Sequence, residues 1–66
     1  MRNANLVANE LHEMGFRTKV FASNAVQVTL TNRKVSTMEV IDALEQAFDV
    51  IQFRTVSTVD GVLVSW

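Results

Sequence analysis

Apolar residues in the first part of the chain recur at three- and four-residue intervals. Between residues 4 and 14, the sequence ANLVANELHEM places small and aliphatic side chains along one side of a helix. Asn3 and Asn5 are both candidate N-caps, and Gly15 is a natural stop because glycine tolerates the conformation that ends helices. The spacing therefore predicts a helix over residues 4–14.

The same period is stronger between residues 36 and 48, where Val40 and Leu44 belong to one continuous apolar stripe. Ser36 and Glu39 form the S-x-x-E pattern of a capping box, in which each side chain accepts a hydrogen bond from the other residue's backbone N–H. This pattern predicts a second amphipathic helix with a defined start.

The other segments alternate with a period of two, which is typical of half-buried strands. Residues 25–31 and 62–66 alternate cleanly, and the segments FRTKVF at 16–21 and IQFRTVSTV at 51–59 precede them as hairpin partners. The elements then follow in the order αββαββ, as two αββ units. This order predicts an α+β two-layer sandwich: a four-stranded antiparallel or mixed sheet with both helices on one face. A permuted ferredoxin-like arrangement, with the second and fourth strands at the centre, satisfies the rules for chain connections.

The register of the first hairpin decides where its two cations point. A two-residue loop, Ser23-Asn24, pairs Lys19 with Val28 and aims both cations at the helices. A three-residue loop, 23–25, pairs Val20 with Val28 and turns the cations outward. We prefer the longer loop because directing a charge toward an apolar layer is costly; the alternative is that the cations point inward at an edge and protect it from aggregation.

The second hairpin contains Asp60-Gly61, a dipeptide strongly enriched in two-residue hairpin turns. A two-residue loop at that point pairs Ser57 with Val64. Trp66 then falls in phase with the apolar side of its strand, which favours a packing role for its ring.

Composition limits what else the chain contains. Its 66 residues, predicted as a single domain spanning 1–66, are 48% hydrophobic and 20% charged with a net charge of −1, values typical of a folded domain. A core this small is marginal, and the absence of cysteine removes disulfides and thiolate metal sites, so we expect a homodimer. No apolar run approaches the length of a membrane span. We expect a cytoplasmic protein that does not enter a membrane.

Catalytic motifs are absent from the sequence. His12 is the only histidine and has no partner at metal-ligand spacing, and the two glycines are too far apart for a phosphate-binding loop. We therefore expect no enzymatic activity, no cofactor and no metal.

The charges are sorted by element. The carboxylates of Glu10, Glu13, Glu39, Asp42, Glu45 and Asp49 lie on or just after the helices, whereas three of the cations lie in strands. With the preferred register, the sheet face away from the helices carries cations, amides and two apolar side chains, and no carboxylate. The candidate partner-binding residues on this face are Arg17, Lys19, Phe21, Gln27, Gln52, Arg54 and Leu63.

Two functions suit such a face, used either directly or through an edge strand. The first is contact with a protein, either a second copy or another chain, with the apolar residues as anchors. The second is binding of single-stranded nucleic acid, with Phe21 stacking on bases and the cations on phosphates. The face loosely resembles that of an RNA-recognition motif, but where that family has aromatics on its central strands this chain has Gln27, Thr29, Leu63 and Ser65. We prefer protein contact, as in the small accessory or inhibitor proteins, viral ones included, that phages and mobile elements encode.

Overall fold

The two helices and the four strands of one sheet follow one another along the chain in the predicted order, αββαββ. The computed structural model describes residues 3–48 and 52–66. Its elements are α1 Ala4–Glu13, β1 Arg17–Ala22, β2 Ala25–Thr29, α2 Thr37–Ala47, β3 Arg54–Ser57 and β4 Val62–Ser65. The small α+β class is confirmed; Asp49, one of the helix-associated carboxylates, lies outside the described residues.

Both helices begin at side-chain caps that the sequence predicts. The Asn3 side-chain oxygen accepts a hydrogen bond from the Asn5 backbone N–H at 2.7 Å, so Asn3 is the N-cap of α1. In α2 the Ser36 hydroxyl accepts from the Glu39 N–H at 3.3 Å, and the Glu39 carboxylate accepts from the Ser36 N–H at 2.9 Å. The capping box is therefore complete, and it satisfies backbone donors that a helix start leaves free.

The sheet is antiparallel throughout, with the strand order β1-β2-β4-β3. The second and fourth strands are central, and the two cation-bearing strands are at the edges. One face of the central strands is entirely aliphatic: Val26, Val28, Val62 and Val64 are all 0% exposed. These valines pack in one cluster with the buried residues of both helices, among them Leu11 and Leu44.

The first hairpin differs from the predicted register. Its loop has two residues, since Ala22 pairs with Ala25, and Val20 pairs with Val26. The predicted three-residue loop is thus wrong. An irregularity between Val20 and Ala22 leaves Phe21 as an extra residue, which is a β-bulge. The bulge changes the phase of the strand, so that Thr18 and Val20 share the valine side of β2 and the cations still point away from the helices.

The second hairpin is also displaced from its predicted register, by two residues. Ser57 pairs with Val62, not with Val64, so the loop spans residues 58–61. Because the shift is an even number, the side chains of β3 and β4 keep their predicted faces, whereas Val59 moves from the strand into the loop. Gly61 is not in a left-handed turn. It is needed because a Cβ there would lie 2.1 Å from the Val28 carbonyl oxygen.

Candidate functional site

The side of the sheet opposite the valine cluster is not covered by a helix; we call it the open face. Strand alternation places on it every second residue, and none of these side chains is buried. The open face consists of Arg17, Lys19, Ala25, Gln27, Thr29, Arg54, Val56, Leu63 and Ser65, together with the bulge residue Phe21.

Four of the seven predicted contact residues surround one shallow concavity. Arg17, Lys19, Phe21 and Gln27 line a solvent-open depression of about 820 Å³, together with residues of the 58–61 loop. The concavity is therefore the part of the open face where most of the predicted contact residues come together.

The other three predicted residues lie outside the concavity. Leu63 is half-buried at the middle of the face, where it pairs with Gln27 on one side and Val56 on the other. Arg54 pairs with Ser65, at the end of the sheet away from the concavity, and Gln52 is exposed just before it. The predicted site thus divides into a concave corner and a second, cationic corner diagonally across the sheet.

A side-chain hydrogen bond holds the 58–61 loop against the open face. Gln27 donates from its amide nitrogen to the Thr58 hydroxyl at 2.7 Å, and the same hydroxyl accepts from the Gly61 N–H at 3.1 Å. The Thr58 N–H also donates to the Gly61 carbonyl at 2.7 Å. These bonds fix the loop whose tip carries Val59.

Three exposed apolar side chains lie on or beside this face. Phe21 and Val56 are each 57% exposed, and Val59 is 93% exposed. The Lys19 ammonium lies 5.7 Å from the centre of the Phe21 ring, within cation–π range. Contiguous exposed apolar groups mark contact surfaces, and Phe21 and Val59 both line the concavity.

The 58–61 loop residues and Val56 are the contact candidates that sequence reasoning missed. A two-residue loop at Asp60-Gly61 would have placed Val59 inside the strand, on the covered side. The signal that favours the longer loop is Thr58, whose hydroxyl can accept from a backbone N–H three residues ahead and so close a wider turn.

The electrostatics of the open face differ from the prediction in one respect. Asp60 lines the concavity, so the expectation of no carboxylate on this side is wrong. Among the described residues, the single ion pair joins Arg33 and Glu39, in the loop and helix start away from this face. Arg17, Lys19 and Arg54 therefore outnumber Asp60, and no described carboxylate neutralises them in an ion pair.

The Arg33–Glu39 pair has its own role at the capping box. Arg33 donates to both carboxylate oxygens of Glu39, one of them at 2.8 Å. The Arg33 hydrogen bond is the main cause that lowers the pKa of Glu39 to about 2, and the Ser36 backbone N–H adds to it. This carboxylate stays ionised to low pH and belongs to the helix start, not to a binding site.

Three aromatic side chains pack together on the helix-covered side of the sheet. The Phe53 ring centre lies 5.4 Å from that of Trp66 and 5.6 Å from that of Phe48, and all three pack against the core. The predicted packing role of Trp66 agrees with this position.

No protein-family model, curated protein or solved structure matches this chain. Within residues 3–48 and 52–66, no helix has the length and apolar character needed to cross a membrane. In the same described part of the chain, no three His, Asp or Glu side chains come together as a metal site.

Proposed function

We propose that this protein is a non-enzymatic binding module that contacts another protein chain through the open face of its sheet. One observation carries the proposal: Phe21, Val56 and Val59 each leave more than half of their surface in water on or beside the only sheet face that no described helix covers. Burying such side chains against a partner is the main favourable contribution to protein association.

The surroundings of these apolar residues also favour a protein partner. Gln27 and Thr29 offer hydrogen-bonding groups between the apolar positions, and Arg17 supplies a planar donor at the rim. Aromatic and arginine side chains are enriched in protein interfaces, where the apolar centre is bordered by polar groups. The open face has this composition.

Nucleic-acid binding is supported less well. Phe21 is the one aromatic residue at the concavity, and it lies on an edge strand. The central strands present Gln27 and Leu63 where stacking side chains would be needed. Asp60 would also repel a phosphate chain that crossed the concavity.

The proposal also includes the arrangement of the fold and the cellular role of the protein. We propose a two-layer arrangement of the permuted ferredoxin-like type and a cytoplasmic accessory or inhibitor role, of the kind encoded by phages and mobile elements. The strand order supports this arrangement, and the lack of a catalytic motif in the sequence supports the accessory role.

The test compares face variants with matched controls. Phe21→Ala and Arg54→Glu are each expected to weaken self-association, measured by light scattering over a concentration series, or capture of partners from the native host. Val20→Thr removes apolar surface from the other side of β1, and Lys34→Glu reverses a cation outside the face; both should behave as the unmodified protein. Equal behaviour of all four variants would contradict the proposal. A salt-sensitive mobility shift with a single-stranded oligonucleotide, lost in Phe21→Ala, would instead establish the nucleic-acid function.

A further inference from the structure

We infer that the open face binds the helix layer of a second copy of this chain, so that copies associate head to tail. This inference rests on the proposed function, because it names the occupant of the same face. It follows from two surfaces of one molecule that are complementary in charge and that each carry exposed apolar residues.

The outward side of the two helices is acidic. Glu10, Glu13, Asp42 and Glu45 point away from the buried stripes of α1 and α2, because they lie on the opposite side of a 3.6-residue period. Neither helix contains a lysine or an arginine. We call this surface the acidic layer.

The acidic layer also carries apolar side chains that do not pack against the core and are exposed. Leu6 is 50% exposed and Met38 is 66% exposed, and both share the outward side with the carboxylates. The open face offers the corresponding set: cations around exposed Phe21, Val56 and Val59. Apolar residues can thus meet apolar residues while opposite charges meet at the rim.

The net charge of −1 results from separated charges, not from a shortage of them. A chain with low net charge does not repel its own copies strongly, while its oppositely charged faces attract each other. Because carboxylates are on the helices and cations are on the strands, the acidic layer of one copy attracts the open face of another.

Other contacts between two copies fit the structure less well. Packing open face against open face would oppose Arg17, Lys19 and Arg54 with the same cations of the second copy. Pairing through the edge of β1 would have to accommodate the bulge at Phe21, and bulges and edge cations both discourage strand addition.

The available area is adequate for a specific contact. The molecule measures 31 × 22 × 19 Å, so a face that spans its two longer dimensions has a projected area of about 700 Å², of the same order as the ~800 Å² per partner of a standard interface. Because the two contacting surfaces differ, each copy keeps one free face after binding. Association should therefore continue beyond a dimer as the concentration rises.

Two neutralised variants test this arrangement by sedimentation equilibrium. The sheet variant is Arg17→Gln/Lys19→Gln/Arg54→Gln, and the helix variant is Glu13→Gln/Asp42→Asn/Glu45→Gln. Each loses one of the two surfaces and keeps the other, and circular dichroism with thermal melting checks that each is folded. All substituted side chains are exposed, so folding should be retained.

The unmodified protein should show an average mass that rises with concentration past twice the monomer mass of 7.4 kDa and falls as salt is added. Each variant alone should associate with itself at least about tenfold more weakly than the unmodified protein. An equimolar mixture should stop at a 1:1 complex, because the intact acidic layer of one variant binds the intact open face of the other.

The outcomes separate this inference from the proposed function. Loss of association in the sheet variant but not in the helix variant would overturn the head-to-tail contact and leave the open face as the contact surface. A strictly monomeric unmodified protein would overturn the inference while capture of a different partner through Phe21 still supported the proposed function. Unchanged association in both variants would also overturn the inference, whereas unchanged partner capture by Phe21→Ala would overturn the proposed function.

Discussion

The two faces of the sheet are built from the same strands and have opposite properties. On the covered face, four valines of the central strands are 0% exposed and contact both helices. On the open face, no strand residue is buried, and neighbouring positions carry Gln27 and Leu63. A shift of one residue in register would exchange the two sets completely.

This difference shows where the sequence is constrained by folding. The covered face is aliphatic because it must exclude water with few residues; a domain of this size has only about 3–5 kcal/mol of stability to lose. The open face adds little to that stability, yet Phe21 and Val56 are apolar and mostly exposed on it. Folding alone does not require them, which is why we assign them to binding.

The largest effect is expected at Gly61, which lies directly against the backbone of β2. Gly61→Ala would place a methyl carbon against the Val28 carbonyl oxygen, which cannot move without breaking the sheet, and should cost about 3 kcal/mol or more. Chemical denaturation measures the loss. Gly15→Ala is the matched control: its φ of 102° strains alanine, but nothing lies within 4 Å, so about 1–2 kcal/mol is expected. Equal losses in the two variants would contradict the close approach of Gly61 to the Val28 carbonyl oxygen.

The next effect compares adjacent residues of β4 on opposite faces. Val64→Ala removes two methyl groups from the covered face and leaves a cavity, so it should cost about 2–3 kcal/mol. Leu63→Ala removes a larger group from the open face and should cost about 1 kcal/mol or less. Thermal unfolding of the two variants gives the comparison, and a reversed order would mean that the assignment of the faces is wrong.

The capping box should make stability depend on pH in the acid range. The pKa of Glu39 is lowered to about 2 in the folded protein, so its contribution is complete above its ordinary pKa and is lost as the pH falls toward 2. The midpoint of thermal unfolding should therefore decrease between pH 5 and 2, and Glu39→Gln should flatten part of this decrease. Ser36→Ala should cost about 1 kcal/mol at neutral pH. Identical pH profiles for Glu39→Gln and the unmodified protein would contradict this account.

The smallest effect on stability is expected at the surface assigned to binding. Phe21→Ala should change the free energy of unfolding by about 0.5 kcal/mol or less, because the ring is mostly in water. Its effect on association should be much larger. A loss of stability comparable to that of Val64→Ala would instead show that Phe21 serves the fold.

Local patterns predicted the elements and their faces well. Ser36 and Glu39 marked the start of α2 correctly, and the alternation of Val26 and Val28 identified the covered side of β2. These features depend on residues close together in the chain, where periodicity and capping act directly. Even the outward position of the first strand's cations followed from the cost of burying charge.

The loops were harder to predict because their lengths depend on contacts between distant residues. The bulge at Phe21 allows a two-residue turn to coexist with outward cations, a combination that a simple count of loop residues does not include. At the second hairpin, Asp60-Gly61 indicated a tight turn, but Gly61 is required by its closeness to Val28, over thirty positions earlier in the chain. Asp60 consequently reached the concavity unforeseen.

The central claim is that the open face is a contact surface whose occupant is the acidic layer of another copy. A dilution series followed by amide nitrogen–proton NMR tests it most directly, since each backbone amide reports its own surroundings. We predict concentration-dependent shifts at Lys19, Val59 and Leu63 and at Glu13 and Asp42, with little change at the core residues Val28 and Val64. Shifts confined to the edge strands, or none over the whole concentration range, would contradict the account.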